Sequence, residues 1–159
     1  MAGNNKCSLV VMSGDLDRVM GAFIIATGAA AAGMDTTMFF SFWGLNAIRK
    51  QNVNTGRGFL GKMIGLMNKG GVERLNPSRF SFGGIGRLLF KKMMKDKGVT
   101  SLSDLLELAL DLDVKLLACK MSMDVMEITR ESLIDGVTDI VGVATFVKEA
   151  ADSEINLFI

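Results

Sequence analysis

The chain has 159 residues, 49% of them hydrophobic, a net charge of +1, and neither histidine nor tyrosine. That length suits a single domain with a real core, and the charge balance gives no support to nucleic-acid binding by the chain as a whole. The missing imidazole removes Ser-His-Asp and Cys-His mechanisms and imidazole-based zinc sites, and two cysteines without a CxxC motif, Cys7 and Cys119, are too few for a disulfide-built secreted domain.

Residues 6–13 read as a short, buried, β-branched strand. Asp15 or Asp17 is placed to cap the alanine-rich helix that follows over 16–32, with Gly33 as its stop. Residues 34–41 form a second strand. Residues 19–34 and 36–48 carry no charge, but Thr27, Gly28, Gly33 and Asp35-Thr36-Thr37 interrupt the apolar run. A spanning helix needs about 20 predominantly apolar residues, so strand–helix–strand explains the stretch better. Membrane contact stays a minor alternative. The amino end shows no long apolar stretch, so no signal peptide is expected, and the expected location is the cytoplasm.

Residues 43–98 differ from the rest. They hold eleven of the eighteen glycines and the only proline, Pro77. From 49 to 98 the chain carries twelve basic and two acidic side chains, a balance of +10, against −8 for 99–159. Helical pieces are predicted at 57–67 and 84–95, with a loop over 68–82. The stretch is too long for one crossover and reads as a basic, glycine-rich insertion within a single domain, 1–159. Its apolar residues, Phe59, Phe80 and Phe82 among them, exceed what a solvated loop needs. Unlike patches of this kind on one chain predict a homo-oligomer. Gly83-Gly84-Ile85-Gly86-Arg87 offers a possible phosphate cradle, but it is not G-x-G-x-x-G and follows no clear strand.

A helix over 101–111, capped by Ser101 or Ser103, leads to a third strand at 114–118. A helix over 122–131, a very short strand at 138–141, a helix over 142–151 and a closing strand at 155–159 complete the pattern. Alternating strands and helices define an α/β fold with a parallel sheet covered on both faces.

Sites in such sheets form beyond the carboxyl ends of the strands. Three loops qualify, at 13–18, 42–46 and 119–124. Cys119 ends one strand and directly precedes a helix, where free N–H groups favour a thiolate. Lys120 would add charge stabilisation if its side chain folds back. Cys119 could equally be a small buried hydrophobe. Cys7 lies at the amino end of the first strand. Seven residues span about 23 Å, so a disulfide between the two is not expected, and Cys7 reads as core. Asp15 and Asp17 read as cap residues, and Asp15 would repel a phosphate at the neighbouring Ser13-Gly14 turn. Met121, Met123 and Met126 are possible Cu(I) ligands, but twelve methionines across the chain favour packing.

The segments LLACKMSMDVM (116–126) and DGVTDIVGVATFVKEAADSEINLFI (135–159), with the SGDLDR loop and the MFFSFWGL stretch, carry a resemblance over nearly the whole chain. They resemble the DsrE/DsrF/TusD-like (DsrEFH) sulfur-carrier superfamily, in its longer branch often labelled peroxiredoxin-like or sulfurtransferase. The resemblance implies a three-layer α/β/α fold with a five-stranded parallel sheet, flavodoxin-like in layering, for which the strand order 2-1-3-4-5 is expected. It implies a persulfide carried on Cys119, trimeric or hexameric assembly, and protein partners that donate and accept sulfur. No cofactor or metal is called for. Ser13, Gly14, Asp15, Phe42, Trp43, Lys120, Met121 and Ser122 are the expected lining of the site. A thiol peroxidase and a non-catalytic module binding acidic partners through the insertion are the rival readings.

Overall fold

The computed structural model describes residues 5–159 apart from 54 and 57. Five strands form one parallel sheet: β1 (Lys6–Val11), β2 (Asp35–Phe40), β3 (Lys115–Cys119), β4 (Asp139–Val141) and β5 (Ile155–Phe158). Their order is β4-β3-β2-β1-β5. The expected order placed β1 between β2 and β3. Instead β2 lies between β1 and β3, and β1 pairs with β5. Each of the first three crossovers steps one strand in the same direction, so right-handed connections keep their helices on one face. The return from β4 to β5 runs the other way and puts its helix on the opposite face.

Side chains alternate across the pleat. Leu9, Val11, Met38, Phe40, Leu116 and Ala118 face the main core, under α1 (Leu16–Ala31) and an amphipathic helix over Leu102–Asp111. Phe39, Leu117 and Cys119 face the other way, where Phe146 of the helix Val143–Ala151 packs on them. Phe39 and Phe146 stack with ring centroids 4.8 Å apart. One short helix covers that face, and every residue of β5 is exposed.

The connection from β2 to the Leu102–Asp111 helix contains a 3₁₀ segment (Phe42–Ile48), α2 (Phe59–Met67) and α3 (Ile85–Asp96). Residue 57, the expected start of the first insertion helix, lies outside the described residues. The next three helices in chain order are α4 (Leu102–Asp111), α5 (Lys120–Val125) and α6 (Val143–Ala151). The beginning of the basic stretch is core: Leu45, Ala47 and Ile48 are fully buried. Beyond it, Phe59, Met63, Phe80, Phe82, Leu88 and Leu89 are exposed.

Local caps explain several boundaries. The Ser101 hydroxyl accepts from the Asp104 N–H at the start of α4. At the end of α1, Gly33 is left-handed (φ 84°) and Met34 N–H reaches back to the Ala29 carbonyl, a Schellman closure. The helix expected over 122–131 is instead the short α5. It ends because Ile128 N–H bonds back to the Met123 carbonyl with Glu127 left-handed, which turns Ile128 into the core. Asp15 occupies the position before α1 but makes no side-chain cap bond. Asp17 accepts instead from the N–H and hydroxyl of Ser78, tying α1 to the insertion.

One close approach holds the carboxyl end of the sheet together. A Cβ on Gly44 would lie 2.1 Å from the Val11 carbonyl oxygen. The Gly44 N–H donates to the carbonyls of Met12 and Ser41, each at 3.0 Å. Gly44→Ala should therefore destabilise the protein by about 3 kcal/mol, seen as a lower urea midpoint at unchanged slope. Gly28→Ala, where an added Cβ meets nothing, should stabilise by about 1 kcal/mol through helix propensity. The two changes having the same sign would refute the packing argument.

Candidate active site

The register of β2 against β3 pairs Phe40 with Ala118. One residue further on each strand, Ser41 comes level with Cys119. Both follow residues that face the main core, so by alternation both side chains lie on the opposite, α6 face of the pleat. Cys119 is 3% exposed and also forms the entry to α5, with extended backbone (φ −73°, ψ 113°). The chain turns there from strand to helix without an intervening loop, and the first N–H groups of α5 stay close to the sulfur.

Burial alone would push the Cys119 thiol up. The hydroxyl and N–H of Ser122, the hydroxyl of Ser41 and the N–H of Met121 more than offset it, and the thiol is held below its ordinary value. Ser41 and Ser122 are themselves buried, and their hydroxyl oxygens lie 2.9 Å apart. Each hydroxyl carries one proton. With a neutral thiol, one proton serves the Ser41–Ser122 bond. With a thiolate, both protons turn to the sulfur. Two neutral hydroxyls, both buried, thus adapt to either charge state of the sulfur. The apolar side of the thiol is Phe39, Leu117, Phe146 and Val141.

The expected lining residues divide into two groups. Ser122 and the Met121 backbone meet the sulfur, and the Met121 side chain is exposed. Lys120 does not fold back. It pairs with Asp124, one helical turn on, as an i,i+4 ion pair at the surface. Phe42 follows Ser41 in left-handed backbone (φ 45°), a conformation costly for a bulky residue. Trp43 is half-exposed. Ser13, Gly14 and Asp15 belong to the end of β1 and line a separate cleft together with Trp43. Gly14 is where the two loops touch, since a Cβ there would sit 2.8 Å from the Trp43 carbonyl oxygen. Ser41 was not among the expected site residues. Its place at the end of β2 was visible, but an order with β1 between β2 and β3 hides its proximity to Cys119.

Cys7 is fully buried at the start of β1, and burial raises its thiol. Both cysteines are free. No cluster of three or more cysteine, aspartate or glutamate ligands suited to a metal occurs among the described residues. Met123 is buried and Met121 exposed, on opposite sides of α5, so they do not converge. No helix among the described residues is long and apolar enough to cross a membrane.

A parallel five-stranded α/β sheet with a lone thiol at a strand-to-helix turn defines a thiol-bearing α/β domain. Over residues 3–158 the chain matches the model of the DsrE/DsrF/DrsH-like family, and it belongs to that family. It is 40% identical over 155 residues to the YrkE protein of Bacillus subtilis (strain 168), covering 97% of this chain and 96% of that one. It is 33% identical over 156 residues to a protein named sulfur carrier protein DsrE2 from Allochromatium vinosum, covering 97% and 98%. Among solved structures it resembles the ychN protein from E. coli, with a TM-score of 0.55 at 14% identity over 97% of this chain and 98% of that one. That likeness is one of fold.

Cys119 should react with iodoacetamide before Cys7, as mapped by mass spectrometry of limited digests. Because its thiol is lowered, labelling should persist at pH values below those at which an ordinary thiol stops reacting, and fall only as the thiolate is protonated. Ser122→Ala removes a donor to the thiolate. Its labelling curve should move to higher pH, and the rate at pH 7 should drop about fivefold, the effect of roughly 1 kcal/mol. Labelling of Cys7 first, or an unshifted curve in the variant, would contradict this account.

Proposed function

We propose that the protein is a sulfur-relay carrier that holds sulfane sulfur as a persulfide on Cys119 and passes it to a partner protein. The observation that carries this reading is the set of four donors on a single lowered thiol with no second cysteine in reach. The name of the Allochromatium vinosum relative supports the same role. The Cys119 thiolate attacks the outer sulfur of a donor persulfide. An S–S bond to Cys119 forms, the donor's S–S bond breaks, and the donor leaves as its thiolate. An acceptor thiolate then attacks the same outer sulfur, and Cys119 leaves as a thiolate. The reaction moves one sulfane sulfur and needs no external oxidant or reductant. A lowered thiol serves both steps, as nucleophile in the first and leaving group in the second. Ser41, Ser122 and the α5 N–H groups stabilise the anion each time it appears. No cofactor is called on. A peroxidase cycle closed within one chain would need a resolving thiol, and Cys7 lies buried at the other end of a different strand.

Incubation with a persulfide donor should add sulfur to Cys119, removably by reductant, with no gain in Cys119→Ser. Ser41→Ala should load more slowly than wild type, by about fivefold. High-resolution intact mass separates added sulfur from added oxygen. A protein that never gains sulfur yet accumulates sulfenic acid with peroxide would favour the thiol peroxidase.

The same reading includes a homo-oligomer, a trimer or a hexamer. Its support is the pairing of a basic insertion bearing exposed Phe80, Phe82, Ile85, Leu88 and Leu89 with an acidic carboxyl-terminal third on one chain. Charge contacts weaken with salt over a Debye length of about 8 Å, whereas apolar burial does not. Light scattering should give a multiple of the 17.1 kDa chain mass at micromolar concentration in both low and high salt. A monomer in both would refute the assembly.

A further inference from the structure

A cleft of about 420 Å³ opens at the carboxyl end of β1, apart from the thiol. Three cationic side chains line it: Lys69, Arg74 and Arg87. Among the described residues none of the three has a carboxylate within ion-pair distance. Arg87 donates to the Arg74 carbonyl at 2.7 Å, and Arg74 donates to the Asn52 side chain. The one carboxylate in the lining, Asp15, is held by the Ser13 hydroxyl at 3.0 Å and lies 3.7 Å from Arg18. The lining therefore carries a net charge of +2.

A fourth cation stands behind the wall. Arg49 is 2% exposed and, among the described residues, has no carboxylate within ion-pair distance. Its guanidinium donates to Asn46 Oδ1 at 2.9 Å, to the Asn68 carbonyl at 3.0 Å and to Thr55 Oγ1 at 3.1 Å, while its Nε has no hydrogen-bond partner among the described residues. A Cβ on Gly70 would come within 2.7 Å of that Nε, so only glycine fits over it. A buried guanidinium bonded to neutral acceptors leaves its charge uncompensated. The same bonds orient the cleft. Because Arg49 occupies Asn46 Oδ1, the Asn46 amide nitrogen turns to Asn68 Oδ1 at 2.8 Å, and Asn68 Nδ2 donates back at 3.2 Å. Each carboxamide has two N–H groups and spends one here. One remains on each, and both residues line the cleft, as does Asn76.

Three cations and three carboxamides lining one cleft suit an anion with acceptor oxygens in several directions. A carboxylate is satisfied by one guanidinium fork, whereas a tetrahedral oxyanion uses the whole set. The glycine run at the start of α3 serves this arrangement as a spacer. A Cβ on Gly86 would lie 1.7 Å from the Phe80 carbonyl oxygen, and this close packing sets where Arg87 projects. We propose that the cleft is a binding site for a tetrahedral oxyanion of the phosphate or sulfate class, either free or as the end group of a larger molecule.

Trp43 is the only tryptophan in the chain and lines the cleft, so its fluorescence reports occupancy. The full chain is titrated with inorganic phosphate, sulfate and AMP, against chloride at matched ionic strength. The oxyanions should give a saturable change in Trp43 emission and chloride none. Arg74→Gln/Arg87→Gln should weaken binding at least about tenfold, and Lys69→Gln, at an exposed position, about threefold. Equal affinity for phosphate and AMP assigns a free anion; AMP about tenfold tighter assigns a phosphate ester. Cys119→Ser should bind as wild type does, so the result stands or falls apart from the sulfur-carrier reading. No saturable response to any of the three, or unchanged affinity in both Lys69→Gln and a folded double variant, overturns the proposal.

Discussion

Parallel pairing of β2 with β3, in the register that opposes Phe40 to Ala118, decides where every polar group near the thiol lies. It brings Ser41 level with Cys119 and sets both on the α6 face. It also leaves Cys119 to begin α5 with no loop between, so that backbone N–H groups and two buried hydroxyls converge on one sulfur. The pairing follows from a chain that steps in one direction through four strands before returning. Right-handed crossovers then stack α1 and α4 on one side and send α6 to the other. A sheet with β1 between β2 and β3 would have given the thiol the Ser13 loop as its neighbour.

Two electrostatic environments therefore share the carboxyl end of the sheet. Around Cys119 the stabilising groups are neutral dipoles, and the nearest cation in sequence, Lys120, is held away by Asp124. Around the β1 loop the groups are mostly cations, and the one carboxylate of the cleft lining, Asp15, lies 3.7 Å from Arg18. The 3₁₀ segment separates them. Its first residue, Phe42, bears the backbone strain; Gly44 locks it to β1; Asn46 faces the cleft; and Arg49, just past its end, lies beneath. The uncharged run that looks like a loop leading into the insertion is in this way the wall between the thiol and the cleft.

What the sequence conveyed was local. Strand and helix periods, the Ser101 cap, the Gly33 stop and the place of Cys119 at a strand end all depend on neighbours a few residues apart, and the structure has them. The family resemblance added the five-stranded parallel sheet. Strand order was not legible, because parallel strands joined by helices carry no local mark of which neighbour they pair with. That one gap hid Ser41 and assigned Ser13, Gly14 and Asp15 to the thiol. The Lys120–Asp124 pair was readable from its i,i+4 spacing. The end of α5 was not, since Glu127 adopts left-handed backbone only because Ile128 is drawn into the core. Nor was the burial of Arg49, which needs acceptors from Asn46, Val53, Thr55 and Asn68 folded around it.

The α6–β5 unit rests on the sheet through few groups. Phe146 is the one buried side chain of α6, and β5 is held by its ladder with β1 and exposed along its length. Segments with so little buried apolar surface open at a small fraction of the global unfolding free energy. Amide hydrogens of α6 should accordingly exchange faster than those of α1 or β2, as one cooperative group. Lifting Phe146 removes the apolar cover of Cys119 while β2, β3 and the start of α5 stay folded, and with them every hydrogen-bond donor to the sulfur. A buried nucleophile can be bared by such partial opening without dismantling the groups that make it a nucleophile.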